Sequence, residues 1–275
     1  MKKVFPYFKI REREDKLLMS FKSSILKNRE KAFYKLYYYS FLYPFIEVKK
    51  IKNSNDLSIL KFDVWEESSL KESRIRHISF LIKKVFDPKE IYFVDIDKEL
   101  VKMAMRNIKE FGFKKAVIVN GDVRSLPFKD EKFDIVIDFS TTDHLPVNDF
   151  RKTIKEVYRV LKSDGIYLIY HLNSQYFNIE EWNKGYVKSS SIKKFKFPSF
   201  PRSCENVIRI LQKNNFTIQK TGFIYPFFFD STLLIHWRFV KNKIFELIPI
   251  NLCFSFFNLP SLNMFFYIIS KKVNI

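Results

Sequence analysis

Two aspartates stand where short apolar runs end, and together they have the chemistry of a nucleoside site. Asp95 closes "IYFVDID" and Asp122 follows "AVIVNGD". A carboxylate at the end of a buried parallel strand can accept both hydroxyls of a ribose. One strand further on, a carboxylate can take the exocyclic amine of an adenine while the next backbone N–H serves a ring nitrogen. Asp97 lies two residues beyond Asp95 and is the reserve for the ribose. His144, in "TTDHL" after a third apolar run, is placed to serve as a general base, which works best with a pKa near the working pH. Asp143 beside it can orient an acceptor. His171 is a second candidate base, and Tyr170 and Asn173 border the same end.

The elements that position these residues follow from periodicity. "SILKFDVW", "EIYFVDI", "AVIVNGD", "KFDIVIDFS" and "IYLIYHL" are short apolar strands. Between them, "ESRIRHISFLIKKVF", "KELVKMAMRNIKEF" and "NDFRKTIKEVYRVLKSDG" carry helical spacing. Gly112 stops the second helix; Asn148 is the expected N-cap of the third, and Gly165 lies just past its end. Strands alternating with helices imply βαβ units around a parallel sheet buried on both faces. A helix near Cys204 to Asn214 and strands "FTIQKTGFI" and "MFFYIISKK" close the domain. The reading is an α/β, doubly wound, seven-stranded and mostly parallel sheet with one antiparallel strand and helices on both faces. Residues 1–56, with the aromatic patch "FYKLYYYSFLYPF", read as an N-terminal helical cap. Residues 57–275 form the main domain, with 174–201 as a lid or insertion.

Composition narrows the partners. A net charge of +19 suggests nucleic acid, but 37 of the 49 basic residues are lysines scattered along the chain, with no RNA-binding signature. Nucleic acid is therefore disfavoured. Two cysteines and four histidines show no metal-ligand spacing, so no metal is expected. A reducing, cytoplasmic setting is the default. The stretch 247–270 has no charged residue but holds two prolines and three asparagines. It reads as buried strand and turn rather than a lipid-exposed helix, with peripheral membrane contact left open.

The motifs in this order resemble the class I S-adenosylmethionine-dependent methyltransferases of the broad type 11 group. "VDIDKELVKMA" resembles that family's second-strand motif, and "GDVRSLPFKDEKFDIVIDFSTTDHL" its adenine loop and fourth strand. "FRKTIKEVYRVLKSDGIYLIYH" resembles its helix into the fifth strand. The resemblance implies a Rossmann-like fold and S-adenosyl-L-methionine as cofactor. It gives Asp95 the ribose, with Ile96 beside it in the cofactor pocket, and Asp122 the adenine amine. Val123 supplies the adjacent backbone contact, and Phe139 and Ser140 line the pocket.

The departure is at the first strand, where the family has Leu-Asp-x-Gly-x-Gly-x-Gly and this chain has "LKFDVWEES", with no glycine before Gly112. It resembles a subgroup with Leu-Lys-Thr-Asp-Leu-Phe-Asp-Glu-Ala at this point and Ser-Thr-x-Asp-His after the fourth strand. Without glycine the backbone cannot approach a ligand closely. Side chains must then reach, and Asp63, Glu66 and Glu67 offer carboxylates to the cofactor's ammonium and sulfonium. Arg74 or Arg76, near a first helix starting late at about Ser73, can pair with its carboxylate.

The resulting expectation is a methyltransferase acting on a small-molecule, sugar or lipid-linked acceptor. The rival readings are a non-catalytic binding protein on the same fold and, on charge alone, an RNA methyltransferase.

Overall fold

A computed structural model describes residues 42–54, 56–68, 77–176, 179–180, 198–226 and 260–273. Its centre is a seven-stranded sheet in the order β3-β2-β1-β4-β5-β7-β6. The strands are β1 (Ser58–Phe62), β2 (Glu90–Asp95), β3 (Ala116–Asn120), β4 (Phe133–Phe139), β5 (Leu161–Leu172), β6 (Phe216–Pro226) and β7 (Asn263–Lys272). β1 to β5 pair in parallel, and β7 runs antiparallel to both β5 and β6. The expected sheet, with its one antiparallel strand, is the observed one.

The inner strands are largely apolar on both sides, as helices cover both faces, whereas the edge strand β6 exposes Thr217, Gln219 and Thr221. Residues 42–51 form α1; α2 is Trp65–Ser68, α3 His77–Phe86, α4 Lys98–Asn107, α5 Val147–Val160 and α6 Cys204–Gln212. On one face Ile59, Ile91, Phe93, Ile135 and Leu168 pack with Phe45 and Val48 of α1 and Ile78 and Ile82 of α3. On the other, Leu60, Val94, Val136 and Ile169 pack with Phe150, Ile154 and Val157 of α5 and Val207 and Leu211 of α6. The period of two in Ile135, Val136 and Ile137 places neighbours in opposite layers.

Helix ends hold two corrections. α5 begins at Val147 with Pro146 as its cap residue, so Asn148 lies inside the helix and does not cap it. Proline fixes the extended entry, which leaves Asn148 no capping role. At the other end no glycine stop is needed, because Val160 passes directly into Leu161 of β5. Asp164 takes the left-handed conformation (φ 62°), and Gly165 is a strand residue. Gly112 does act as expected: at φ 67° it ends the 3-10 turn that finishes α4.

α1 is the described part of the expected N-terminal cap; residues 1–41 lie outside the described residues, as do 181–197 of the expected lid and 227–259. The expected start of α3 near Ser73, with Arg74 and Arg76 as expected partners of the cofactor carboxylate, also lies outside them. Of the apolar stretch 247–270, the described part is a 3-10 turn and β7, whose Tyr267, Ile268 and Ile269 are core residues. Among the described residues no helix is long and apolar enough to cross a membrane.

Candidate functional site

The strand order reverses between β1 and β4, and in open α/β sheets ligands lie at the carboxyl edge beside such a reversal. Asp95 ends β2 there, half-buried. Its Oδ2 accepts the Val64 N–H at 3.0 Å and its Oδ1 the Asp97 N–H at 2.9 Å. Burial raises its pKa, opposed by these bonds. Each oxygen keeps a lone pair, so two ribose hydroxyls still have acceptors. Asp97 is otherwise employed: it caps α4, accepting from Glu99 N and Leu100 N, a contact typically worth about 1 kcal/mol. Ile96, between the two acids, is 64% exposed.

Asp122, after β3, is held in a fork by Arg124. The guanidinium reaches both of its oxygens at 2.6–2.9 Å, and the Arg124 N–H adds a further bond. The Arg124 hydrogen bonds hold this carboxyl below its usual range. Arg124 also reaches Asp149 on α5 at 2.8 Å, fastening the loop to that helix. Val123 is buried beside it.

After β1 the chain builds a charged cluster. Lys61, on the strand and shut off from solvent, faces Asp63 Oδ1 at 3.2 Å and Glu67 Oε2 at 3.4 Å. Glu66 is 3% exposed and Glu67 0%. Glu67 takes a short bond from the Ser79 hydroxyl, and Glu66 Oε2 takes the Ser79 N–H at 3.2 Å. Asn107 of α4 ties down the Glu67 and Ser68 carbonyls at 3.1 Å. So the two glutamates that the sequence offers to a ligand's positive charges face inward, toward Lys61 and α3.

One ammonium among three carboxyls leaves an excess of acid. Burial is the largest influence on Lys61 and works against its charge, but Asp63, Glu67 and Glu66 outweigh it and Lys61 keeps its proton. Burial pushes Glu66 well up and Glu67 up. Glu66 is the first to hold a proton, since its Oε1 has no partner among the described residues and Lys61 pairs with the other two.

Asp63 sits at φ 62°, the left-handed conformation that favours glycine. Its Oδ1 also takes the Trp65 N–H at 3.1 Å, and its Oδ2 takes the Thr141 hydroxyl at 2.9 Å. That last bond joins the end of β1 to the end of β4, across the switch point itself.

Beyond β4, Phe139 and Ser140 are half-buried, and the Ser140 hydroxyl makes a short bond to Asp143. Asp143 is fully buried. Burial opposes its charge, but His171 and Ser140 hold its pKa below the usual value. His171 Nδ1 lies 2.8 Å from Asp143 Oδ1, and its Nε2 lies 2.8 Å from Arg202 Nη1. A guanidinium can only donate, so Nε2 is the acceptor and Nδ1 carries the proton given to Asp143. Arg202 also reaches the carbonyls of Thr142 and Leu145 and stacks on Phe150. His171 thus belongs to a buried brace, which makes it a positioning group. His144 stands half-buried on the 3-10 turn after β4, with Nδ1 3.1 Å from the Pro198 carbonyl.

The acids at the ends of β2 and β3 were legible in the sequence. Lys61, Arg124 and Arg202 were not singled out, although a Lys-x-Asp next to two glutamates is a local signal for the first.

Residues 77–169 match the family model described as a methyltransferase domain. Demethylmenaquinone methyltransferase of Anoxybacillus flavithermus is 38% identical over 77 residues, 28% of this chain and 31% of that protein. The chain spans about 30% of the length of the curated relatives it matches. Among solved structures, an S-adenosylmethionine-dependent methyltransferase of Methanosarcina mazei superposes with a TM-score of 0.54 at 17% identity. That likeness covers 82% of this chain and 98% of the other. The fold is that of a class I methyltransferase. The [4+2]-cyclase SpnF shares it, with a TM-score of 0.51 at 13% identity over 84% of this chain and 80% of the other. The fold alone therefore does not set the reaction.

The methyltransferase-domain match and the fold imply S-adenosyl-L-methionine, and the site can be tested against that molecule in two halves. The ribose and a face of the base find groups to meet them, while Asp122, expected for the adenine amine, is already forked by Arg124. Asp95 keeps acceptors for a ribose, and Ile96 is a large apolar side chain left in water beside it, as a surface that a base covers. The half beyond the ribose meets a different environment, because the end of β1 carries the Lys61 cluster.

Proposed function

We propose that this chain is an S-adenosylmethionine-dependent methyltransferase acting on a small-molecule acceptor. The observation that carries the reading is the pairing of a ribose-competent Asp95 with a water-exposed Ile96 at the switch-point edge of a methyltransferase domain. Asp95, Ile96, Asp122 and Val123 are the residues to hold the adenosine half, with Phe139 and Ser140 bordering the pocket. When bound, the cofactor supplies an activated methyl group, so the protein has chiefly to align the acceptor and exclude water.

The acceptor's side of the site falls to the residues after β4. Asp143, braced by His171 and Arg202, fixes the Ser140 hydroxyl. His144 is the proposed base. The Pro198 carbonyl takes its Nδ1–H when the ring is neutral, which makes Nε2 the basic atom. A lipid-linked acceptor is the finer reading. Its support is the names of relatives, demethylmenaquinone methyltransferase and a polyprenyl-benzoquinol methylase of Xenopus laevis. The apolar stretch 247–270 lends it no weight, since its described part is β7 of the core.

The second reading, a non-catalytic binding protein, is favoured by the cluster that closes over β1. Calorimetry with S-adenosylmethionine and S-adenosylhomocysteine on the wild type and on Asp95→Ala tests the cofactor reading. Binding that weakens at least tenfold in the variant is expected; no binding to the wild type removes the enzyme reading. Methyl transfer to quinol acceptors, lost in His144→Ala, then separates the enzyme from a binding protein.

A further inference from the structure

We infer that this site recognises its ligand through the adenosine half alone, so that the aminocarboxypropyl arm adds little to affinity. The inference rests on the cofactor reading above.

Topology gives the direction of the arm. With a base over Ile96 toward β3 and a ribose on Asp95 at β2, the 5′ substituent runs toward β1 and β4. Aligning Leu60-Lys61 with the family's Leu-Asp puts a cation on the family's acid and Asp63, Trp65 and Glu67 on its three glycines. The two carboxylates there, Asp63 and Glu67, are already paired.

An ammonium needs carboxylates or carbonyls it can reach. Asp63 is shared among Lys61, Trp65 N–H and Thr141, Glu67 lies between Lys61 and Ser79, and Glu66, whose Oε1 has no partner among the described residues, is closed to solvent like Glu67. A carboxylate needs N–H groups or a cation. Among the described residues, the first three amide groups after β1, those of Asp63, Val64 and Trp65, are taken by the Val94 carbonyl, Asp95 and Asp63, and Lys61 lies behind its acids. The Thr141–Asp63 bond crosses the path between the ends of β1 and β4. To be recognised by these residues, the arm would have to break bonds that the protein makes with itself, whereas the ribose meets Asp95, whose oxygens keep lone pairs, and the base meets the exposed Ile96, with only its amine facing an Asp122 already paired to Arg124.

The test uses the full wild-type chain and three probes in calorimetry: S-adenosylhomocysteine, 5′-methylthioadenosine, which lacks the aminocarboxypropyl group, and adenosine. The expected result is a methylthioadenosine dissociation constant within fivefold of that for S-adenosylhomocysteine. A preference of more than fivefold for S-adenosylhomocysteine overturns the inference and leaves the cofactor reading standing. If none of the three binds, the inference and the cofactor reading fall together.

Discussion

Thr141 donates its hydroxyl to Asp63 Oδ2 at 2.9 Å, and this one bond ties the two strand ends on either side of the topological switch point. The residues it joins are 78 positions apart in sequence. Replacing Thr141 by valine keeps the shape and removes the donor. A neutral donor to a carboxylate is worth about 1–2 kcal/mol, so urea unfolding should show a loss of that order. The ligand readout moves the other way. With the crossing bond gone, S-adenosylhomocysteine should gain on methylthioadenosine in calorimetry, and an unchanged ratio would deny Thr141 a part in excluding the arm.

Lys61 is the keystone of the cluster, because its removal strands the carboxylates around it. Lys61→Met should cost about 3–5 kcal/mol in chemical denaturation, the usual penalty for breaking a buried pair. The double variant Lys61→Met, Glu67→Gln should recover part of that loss. Additive losses would mean that Lys61 and Glu67 do not interact in the folded state.

Arg124 competes with any adenine for Asp122. Arg124→Ala should strengthen adenosine binding a few-fold, while Asp122→Ala should weaken it by about tenfold, as expected for a hydrogen bond to a charged group. Calorimetry on the two variants decides it. If both weaken binding, Arg124 belongs to the ligand's own surroundings and is no competitor.

Asp138 is fully buried, and burial raises its pKa to about 6, so the carboxyl keeps its proton at mildly acid pH. A folded pKa above the unfolded value means that its stabilising contribution is complete below about 4 and is lost as pH rises through 6. Asp138→Asn cannot ionise. The variant's unfolding free energy, taken relative to the wild type at each pH, should therefore climb between pH 4 and pH 8. Groups common to both proteins cancel in that difference, so a flat profile would show Asp138 to be ionised throughout.

Strands buried on both faces announce themselves as apolar runs, and for that reason the inner strands of the sheet were readable. The acids at strand ends were readable because position relative to a strand is itself the signal. Local punctuation was less dependable. Asn148 and Gly165 have the right chemistry for a helix start and stop, yet Pro146 takes the first place and the second does not exist, as α5 runs straight into β5. Charge pairing over distance left no trace at all: Arg202 and His171 are 31 residues apart, and nothing near either names the other. The glutamates were noticed, but their direction depended on Lys61 lying inside the sheet layer, and a lysine in a strand ordinarily faces water.

Asp63 keeps the backbone angle of a glycine while using the reach of a carboxylate. An aspartate codon becomes a glycine codon by a single base change, and the change would need no shift of the main chain. The first glycine of the family's loop is thus one mutational step away, blocked by the three bonds that Asp63 makes with Lys61, Trp65 and Thr141 rather than by geometry. A selection for tighter S-adenosylhomocysteine binding would find its shortest route there, with Lys61 as the next residue under pressure.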